Sequence, residues 1–516
     1  MISNRPVGPS TKNKIFLGVL ALLGAGFVLI STNHYGVVIW PDSVFYISTA
    51  RNLITGGGFV SFDGEPLTLW PPLYPGILAI ISRIFGTDPL LTAPVVNAVI
   101  FGLIVYLAGM VLFKYLSSSP ILAIEGTLAI LFATPLFSIS VVAFSEPLFI
   151  LLVLLSFIFL ETYLSTKSVT SLVLLSLSVA LAFLTRYTGV IFLVWGALII
   201  LIFNQDGLRR RIAHLSLFAF IASLPVGIWV IRNYIVAHTL FGPRTPPAFS
   251  FSQILSLGFK SIADWYLPTI ITSHLLIVLL MCAIAVFLIG FSIKGRWQWL
   301  RSNLKRNNLI YSFAISCGIF IVLYLGFVII SAINTYVSVF ESRIWAPIFL
   351  PLTFLVILFA RELSQQFRKY FSVRIVNSIV ISGIALWLVY PMVTTMSYAA
   401  NLVASGDGIS GAAWMQSATA RYIRQNPAMC TFYSNGPDVI YILAEVDAKW
   451  VPSRGGNIND ISSLKGLWPK DSKACLVWFD NIDRTSLFTP NELLSITSLE
   501  QVIKFDDGVI YLITRK

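Results

Sequence analysis

Long apolar runs constrain this chain more than any other feature. Stretches of apolar side chains recur from near the N-terminus to about Met396, and a helix of about 20 such residues crosses a hydrocarbon core about 30 Å thick. Only 11% of the 516 residues are charged and 57% are hydrophobic, whereas soluble domains carry about a quarter charged residues. Lipid leaves no backbone group unpaired, so the runs are predicted to be helices. The sequence therefore predicts an α-helical polytopic membrane protein.

About eleven membrane-spanning helices are predicted. The first has basic residues before it and a long apolar core without a small-x-small cleavage site, so it is expected to remain as an anchor. The predicted spans are residues 15–40, 89–113, 121–142, 146–164, 169–184, 189–203, 215–232, 270–293, 309–333, 344–360 and 376–396.

The net charge of +12 is explained by topology and does not indicate nucleic-acid binding. With a cytoplasmic N-terminus, the inside segments carry seventeen Lys and Arg, and the outside loops before residue 397 carry seven. This positive-inside bias predicts an extracytoplasmic C-terminus.

Hydropathy falls and charge rises after residue 397, which predicts a second domain. We assign residues 1–397 to a transmembrane domain with a first extracytoplasmic loop at residues 41–88, and residues 398–516 to a small extracytoplasmic α/β domain. Residues 412–424 have helical spacing with Trp414 and Tyr422 inward. CTFYSN and ACLVWFD are predicted strands, and QVIKF and VIYLIT form a predicted hairpin around Asp507-Gly508.

The four cysteines divide between the two predicted domains. Cys282 and Cys317 lie in predicted spans, where they are expected to act as small hydrophobic residues. An oxidising compartment can join Cys430 and Cys475, but both look like mid-strand positions, and neighbouring strands often miss disulfide geometry. Spacing alone leaves that pairing open.

Asp42 is the candidate catalytic base, in the segment that follows the first span. A carboxylate just outside a bilayer is costly to hold unless it forms an ion pair or has a functional role. It is suited to removing a proton from an acceptor hydroxyl. The structural alternative is a helix N-cap, because Pro41-Asp42-Ser43 before a helix is favourable capping chemistry.

Three further charged residues are predicted at the outer ends of spans. Glu146 in FSEPLF either binds an acceptor or is an acid at a helix N-terminus followed by Pro147. Arg186 in LTRYTG and Arg343 in FESRIWAP carry the planar guanidinium groups that suit a substrate phosphate. The alternatives are snorkelling to lipid headgroups and, for Arg343, a local pair with Glu341.

Weaker candidates complete the predicted site. Arg232, at the end of the seventh span, is a further phosphate ligand, with a plain surface role as the favoured alternative. Tyr46 and Trp70 are expected to contact the substrate or acceptor, although the segment WPPLYP also fits an anchor at the membrane interface. No cofactor is predicted with certainty. Asp42 and Glu146 could share a divalent metal, but two carboxylates make a minimal site.

Several motifs in order resemble those of the GT-C glycosyltransferases, in particular bacterial family 39 members related to dolichyl-phosphate-mannose protein mannosyltransferases and the aminoarabinose lipid A transferases. The matching pieces are PDSVFYISTARNLITGGGF, WPPLYPGIL, FSEPLF, LTRYTG, the loop beginning RNY, and ESRIWAPIFLPL. The resemblance implies that Asp42 is the catalytic base, that Glu146 lies near the site, and that Arg186 and Arg343 lie near a lipid phosphate. Leu69-Trp70 stands where the aminoarabinose transferases carry Glu-Lys, so that activity is not implied.

The combined interpretation is a bacterial inner-membrane glycosyltransferase that moves a sugar from a polyprenyl-phosphate-linked donor to an acceptor protein, lipid or glycan on the extracytoplasmic face, with inversion. The alternative is a transporter or flippase for a lipid-linked saccharide without catalysis. Transport sites lie near the bilayer midplane, where Glu125 is the main ionisable candidate. An O-antigen polymerase or ligase would share the lipid-linked substrate but has no support beyond topology.

Reporter fusions test the predicted topology. A reporter that is active only outside the cytoplasm should be active at Lys516, and one that is active only inside should be active at Arg301, because the charge bias fixes the orientation. Cytoplasmic activity at Lys516 would contradict the predicted placement of the C-terminal domain.

Overall fold

Helices make up most of the part of the chain that the computed structural model describes, which is residues 9–204, 207–268, 309–454 and 460–516. Two units are distinguished. The first comprises Met1–Ser31, Thr68–Tyr74 and Ala93–Ala400, and the second comprises Thr32–Leu67, Pro75–Thr92 and Asn401–Lys516. This division differs from the domains predicted from the sequence, because most of the predicted first loop groups with Asn401–Lys516, which we call the C-terminal segment. The predicted boundary at residue 397 stays a prediction.

The helices occur in the following order along the described chain. They are α1 Thr11–Ser31, α2 Pro41–Thr55, α3 Leu73–Phe85, α4 Pro89–Tyr115, α5 Pro120–Leu131, α6 Thr134–Ser140, α7 Glu146–Thr166, α8 Val169–Thr185, α9 Val190–Phe203, α10 Leu208–Ala237, α11 Phe251–Ala263, α12 Leu309–Asn334, α13 Ser342–Trp345, α14 Phe349–Phe367, α15 Val373–Ser405, α16 Ala412–Met415, α17 Ala418–Gln425, α18 Pro437–Leu443 and α19 Pro490–Leu493.

The polytopic α-helical fold predicted from the sequence is confirmed. Among the described residues, seven helices are long and apolar enough to cross a membrane, or eight if the bent pair α5 and α6 is one span. Helices α8 and α9 coincide with predicted spans, but at 17 and 14 residues they are shorter than the seven spanning candidates. The predicted span at residues 270–293 lies outside the described residues.

The first predicted span is too long. Helix α1 ends at Ser31, and Gly36 adopts a left-handed φ of 77° before residues 37–39. The apolar run continues to Trp40, but Ile39 forms a bridge with Gly408 instead of continuing the helix. Hydropathy alone does not separate a spanning helix from an apolar extended segment that follows it.

A break in the third predicted span separates α5 from α6, which are bent by 43°. The Thr395 hydroxyl of α15 donates to the carbonyl of Phe132 at the break over 2.7 Å. The hydroxyls of Thr134 and Thr395 lie 2.8 Å apart. These contacts supply partners to the broken backbone, as a break among apolar helices requires.

Buried aromatic side chains join several helices of the first unit. The rings of Phe157 in α7 and Trp195 in α9 are 4.6 Å apart, and Phe157 also contacts Phe320 of α12. The Trp195 indole donates to the carbonyl of Ser316 over 2.9 Å. The indole therefore buries its apolar area without leaving its N–H unpaired.

A five-stranded sheet forms the core of the C-terminal segment, in the order β2-β1-β3-β5-β4. The strands are β1 Thr431–Ser434, β2 Ala448–Trp450, β3 Ala474–Phe479, β4 Thr497–Phe505 and β5 Gly508–Arg515. Strand β1 pairs in parallel with β2 and β3, whereas β5 is antiparallel to β3 and β4. The predicted strands and hairpin are confirmed. The short strand β2 was not predicted, because three residues are too few to show an alternating pattern.

Cys430 and Cys475 form a disulfide, with their Cα atoms 5.9 Å apart. Cys475 lies in β3, but Cys430 precedes β1, so the interpretation of Cys430 as a mid-strand residue was wrong. That position outside the strand removes the geometric objection to pairing. Cys317 is a buried free thiol, as its place in an apolar run predicts, and Cys282 lies outside the described residues.

The helix predicted at residues 412–424 is interrupted. It forms α16 and α17, and the Ser417 side chain between them accepts from the N–H of Ala420 over 3.0 Å. Trp414 packs against Phe479 and Tyr422 against Phe505, so both aromatic side chains face inward as expected.

Helix α2 does not have a single buried face. Its buried residues include the polar side chains of Ser43, Ser48 and Thr49. Burial therefore extends around the helix. Gly56 ends α2 with a φ of 88°, a conformation that glycine adopts without strain.

Candidate functional site

Glu146 is a buried carboxylate at the start of a spanning helix. It is the first residue of α7 and is followed by Pro147, and its exposed fraction is 1%. This position is favourable for an acid, because the N-terminus of a helix carries a partial positive charge. Burial of a carboxylate nevertheless demands a positive partner.

Arg186 supplies that partner. It follows α8 in an extended conformation, ahead of a 3₁₀ turn at Tyr187–Gly189. Its Nη1 lies 2.6 Å from Glu146 Oε1 and 3.5 Å from Ser145 Oγ. The turn packs closely on α8, since a Cβ on Gly189 would lie 2.4 Å from the backbone nitrogen of Phe183. A glycine therefore permits the turn that follows Arg186.

Arg343 approaches the same carboxylate from α13. Its Nη1 lies 3.5 Å from Glu146 Oε1, its Nε bonds to Glu341, and its guanidinium carbon lies 4.5 Å from the centre of the Phe144 ring. The predicted local pair with Glu341 is present together with the second ion pair. Only 17% of the Arg343 side chain is exposed, against 32% for Glu341.

Helix α13 is held by its neighbours, which fixes the position of Arg343. The Trp345 indole donates to the carbonyl of Val339 over 2.8 Å, and the Tyr324 hydroxyl of α12 donates to the carbonyl of Ile344 over 2.9 Å. A Cβ on Gly258 would lie 2.6 Å from Trp345, so α11 packs directly on this indole.

The structure therefore brings three predicted site residues into one cluster, Glu146 with Arg186 and Arg343, which we call the arginine cluster. Its buried part contains two guanidinium groups and one carboxylate. Glu146 Oε2 has no hydrogen-bond partner within the described residues. Such an arrangement can bind an anion through the guanidinium groups and accept a hydrogen bond from a hydroxyl at Oε2.

The arginine cluster does not suit a divalent cation. Two guanidinium groups next to Glu146 oppose a second positive charge at the same carboxylate. Within the described residues, no group of three or more His, Cys, Asp or Glu has the arrangement of a metal site.

Tyr187, the residue after Arg186, connects three segments of the first unit. Its hydroxyl donates to the carbonyl of Thr68 over 2.5 Å and accepts from the Asn233 amide at 3.0 Å and the Trp229 indole at 3.2 Å. The segment Thr68–Tyr74 contains the predicted substrate contact Trp70 and is thereby attached next to Arg186.

Arg232 belongs to the surroundings of Tyr187. Its guanidinium is 4.7 Å from the centre of the Trp229 ring and bonds to Asn233 over 3.1 Å. Arg244 lies 6.0 Å from the Tyr187 ring centre. Arg232 and Arg244 therefore place two further positive charges around the tyrosine that follows Arg186.

Asp42 and Tyr46 belong to the second unit, in α2. Asp42 is the second residue of that helix, and the N-cap is Trp40, whose N–H donates to the Ser43 hydroxyl over 3.2 Å. The interpretation of Asp42 as the N-cap is therefore wrong, and its structural alternative becomes an interaction with the helix dipole. Tyr46 is 1% exposed.

Sequence reasoning missed Tyr187, Asn233 and the pair Tyr74 and Asn97. The Tyr74 hydroxyl bonds to Asn97 over 3.1 Å, and the Asn97 amide donates to the carbonyl of Val142 over 2.6 Å, close to the start of α7. Asn97 and Asn233 are fully buried polar residues. A polar side chain inside or next to an apolar run is the signal that could have identified them.

A family model matches part of this chain. Residues 70–229 match the model described as dolichyl-phosphate-mannose-protein mannosyltransferase. The matched range includes Glu146 and Arg186 and covers about a third of the chain. A search of curated proteins finds no match.

Solved structures resemble nearly the whole chain. ArnT from Cupriavidus metallidurans in the apo state has 14% sequence identity and a TM-score of 0.61, over 97% of this chain and 98% of that chain. The same protein bound to undecaprenyl phosphate has 15% identity and a TM-score of 0.59, over 98% of both chains. The arabinofuranosyltransferase AftD from mycobacteria has 13% identity and a TM-score of 0.53, over 99% of this chain and 40% of that chain.

These likenesses concern the fold, since the identities are low. They confirm the resemblance to the GT-C glycosyltransferases that the ordered motifs indicated, and with it a multi-pass membrane architecture with a small C-terminal sheet.

Replacement of Tyr187 by Phe tests the three-way contact. The change removes the hydroxyl and leaves the buried Asn233 amide and the Thr68 carbonyl without this partner, which costs about 1–3 kcal/mol for an unsatisfied buried group. We expect a lower midpoint of thermal unfolding in detergent and faster proteolysis within residues 68–74. Tyr234→Phe is the control, because Tyr234 of α10 is 58% exposed. Equal behaviour of the two variants would contradict the role of the Tyr187 hydroxyl.

Proposed function

Starting from the GT-C fold, we propose that this chain is a membrane glycosyltransferase. It transfers a sugar from a polyprenyl-phosphate-linked donor to an acceptor hydroxyl on the extracytoplasmic face of the bacterial inner membrane, with inversion at the anomeric carbon. The donor lipid lies among the spans, and the acceptor is a protein, a lipid or a glycan.

The arginine cluster is the observation that carries this proposal. Arg186 and Arg343 approach one buried carboxylate oxygen, at 2.6 Å and 3.5 Å. Two cations against one buried anion give a site that attracts a phosphate, and planar guanidinium groups bind phosphate oxygens in pairs. Glu341 is more exposed, so water screens its charge more effectively. The donor phosphate is therefore assigned to Arg186 and Arg343, with Arg232 as a further ligand.

Glu146 has two roles in this proposal. Its Oε1 fixes the two guanidinium groups before the donor binds, so that little reorganisation is needed when the phosphate arrives. Its buried Oε2, which lacks a hydrogen-bond partner in the described chain, accepts a hydrogen bond from a hydroxyl of the sugar or acceptor. Trp70 and Tyr46 are assigned to the substrate and acceptor as aromatic contacts.

Asp42 removes the proton in the transfer step. The acceptor oxygen attacks the anomeric carbon as its proton passes to the Asp42 carboxylate, and a new glycosidic bond forms. The bond between that carbon and the phosphate oxygen breaks, and the polyprenyl phosphate leaves with the electron pair. Arg186 and Arg343 stabilise the charge on the departing phosphate, which needs no protonation, so positioning and charge stabilisation supply most of the rate.

Two findings support the orientation and the class of donor. Disulfides persist in oxidising compartments, so the disulfide Cys430–Cys475 agrees with an extracytoplasmic C-terminal segment. ArnT, which shares the fold, has been solved with undecaprenyl phosphate bound, a lipid of the proposed class.

Glu125 favours the second candidate, a transporter or flippase without catalysis. It lies in α5 with an exposed fraction of 6%, and its Oε2 has no hydrogen-bond partner within the described residues. Buried acids within spans often mark a transport path. Movement of the lipid-linked sugar across vesicles without transfer to any acceptor would favour this candidate over the enzyme.

Replacement of Arg186 by Ala tests the phosphate assignment. Loss of a hydrogen-bonded charge costs about 1.5–3 kcal/mol, so kcat/KM for the donor should fall about 10- to 10²-fold. KM should rise, since the phosphate is already bound in the ground state, and kcat should fall as well, since Arg186 stabilises the charge that grows on the departing phosphate. Arg186→Lys should recover only part of the lost kcat/KM, because a Lys ammonium group cannot form the two parallel hydrogen bonds of a guanidinium group.

Arg83→Ala is the matched control, since Arg83 is an exposed arginine in α3. Steady-state kinetics of sugar transfer by purified protein provide the measurement. An unchanged donor KM in Arg186→Ala would place the phosphate elsewhere.

Replacement of Asp42 by Asn tests the catalytic base. Loss of general-base catalysis costs about 10²–10⁴-fold in rate. Loss of the negative charge in the first turn of α2 costs only about 0.3–1 kcal/mol of stability. We therefore expect kcat to fall about 10²–10⁴-fold while the midpoint of thermal unfolding changes little.

Glu65→Gln is the control for a lost carboxylate in the same loop, because Glu65 is exposed. Near wild-type transfer by a folded Asp42→Asn protein would refute the assignment of the base.

A further inference from the structure

The segment that leads into α2 is bonded to the C-terminal part of the chain. The N–H of Ile409 donates to the carbonyl of Ile39 over 2.9 Å, and the Ser410 hydroxyl donates to the carbonyl of Val37 over 2.9 Å. Ile39 stands three residues before Asp42, so these bonds lie close in sequence to the proposed base.

Gly408 makes this contact possible. Its φ of +60° lies in the left-handed region, and a Cβ on Gly408 would lie 2.3 Å from the carbonyl oxygen of Ile39. Real Cβ atoms do not approach an oxygen so closely. The backbone of residues 408–410 therefore reaches Ile39 only because residue 408 has no side chain.

The other half of α2 is also attached to the C-terminal segment. The Arg51 guanidinium binds Asp88 through two hydrogen bonds of 2.8 Å and 3.0 Å, and it lies 5.4 Å from the centre of the Tyr441 ring of α18. Phe62, whose N–H donates to the Ser48 hydroxyl of α2 over 3.1 Å, packs on Tyr441 with ring centres 5.5 Å apart.

Trp450 of β2 also packs against Phe62. Its ring centre is 6.3 Å from that of Phe62, and the Arg484 guanidinium covers it at 4.6 Å. Arg484 is in turn paired with the fully buried Asp438 over 2.6 Å. Phe62 therefore packs against a tryptophan that is itself held by the ion pair of Arg484 with Asp438.

We propose that the C-terminal segment positions the catalytic base: Gly408–Ser410 and Tyr441 hold α2 at its two ends and thereby set the orientation of Asp42. This inference rests on the proposed function, because it takes Asp42 as the base. In this proposal Gly408–Ser410 and Tyr441 are positioning residues that act through the helix.

The physical basis is the stiffness of a short helix held at two places. Helix α2 has 15 residues, and a shift of its first turn moves Asp42 with it. Misplacement of a reacting group by about 1 Å costs about 10²-fold in rate. The donor phosphate is bound by residues of the first unit in the proposal, so a displaced α2 should leave donor affinity unchanged.

Gly408→Ala and Gly466→Ala form a matched pair that tests the proposal. Both glycines have left-handed φ values, +60° and +72°, so alanine meets the same backbone cost at each position. A Cβ on Gly466 would have no atom within 4 Å, whereas a Cβ at residue 408 would push against Ile39. We expect kcat to fall about 10²-fold in Gly408→Ala, with an unchanged donor KM, and to change less than about twofold in Gly466→Ala.

Hydrogen exchange gives a readout that does not require activity. Peptides that cover residues 37–55 should exchange faster in Gly408→Ala than in the wild type or Gly466→Ala. Ser410→Ala, which removes the bond to Val37, is the milder variant if Gly408→Ala does not fold, and it should show the same changes at a smaller size.

The outcomes separate this proposal from the proposed function. Equal kcat, or equal exchange of α2, in the two glycine variants would overturn the positioning role. If the wild-type protein transfers no sugar, the proposed function fails. Faster exchange confined to Gly408→Ala would then still support the attachment of α2, and equal exchange would overturn it.

Discussion

A buried carboxylate among apolar helices is the constraint on which the candidate site depends. Glu146 is almost fully buried, so its charge must be balanced by nearby groups rather than by water. Arg186 and Arg343 provide that balance. The turn after α8 and the contacts that fix α13 hold these two arginines in position. Removal of either guanidinium group would leave the charge of Glu146 less well compensated, and for that reason stability and phosphate binding are linked at this position.

Local patterns in the sequence predicted much of the fold. Apolar runs predicted the spans. The segments CTFYSN, ACLVWFD, QVIKF and VIYLIT predicted β1, β3 and the hairpin of β4 and β5, and Asp507-Gly508 marked the turn of that hairpin. The end of α1 was mistaken because residues 37–39 are as apolar as a span, although they form a bridge with the C-terminal segment. Hydropathy describes how apolar a segment is, and it does not tell whether lipid or protein covers its residues.

The candidate site was predicted residue by residue but not as an arrangement. Glu146, Arg186 and Arg343 were each singled out because charge is costly at the membrane. Their meeting at one oxygen depends on the packing of α7, α8 and α13, and α13 lies far from the other two in sequence. Tyr187 stood next to a predicted residue and was missed, since a hydroxyl shared by Thr68, Asn233 and Trp229 leaves no local pattern.

The break between α5 and α6 has a consequence for biogenesis. Its Phe132 carbonyl is bonded by a hydroxyl 263 residues further along the chain. When the ribosome delivers this segment to the membrane, Thr395 has not been synthesised, so the break enters the bilayer with its later partner missing. Other groups must satisfy that carbonyl during synthesis. The insertion of α15 is thus a later step that completes the hydrogen bonding of an earlier break, and the transmembrane part cannot be fully assembled before α15 has been synthesised.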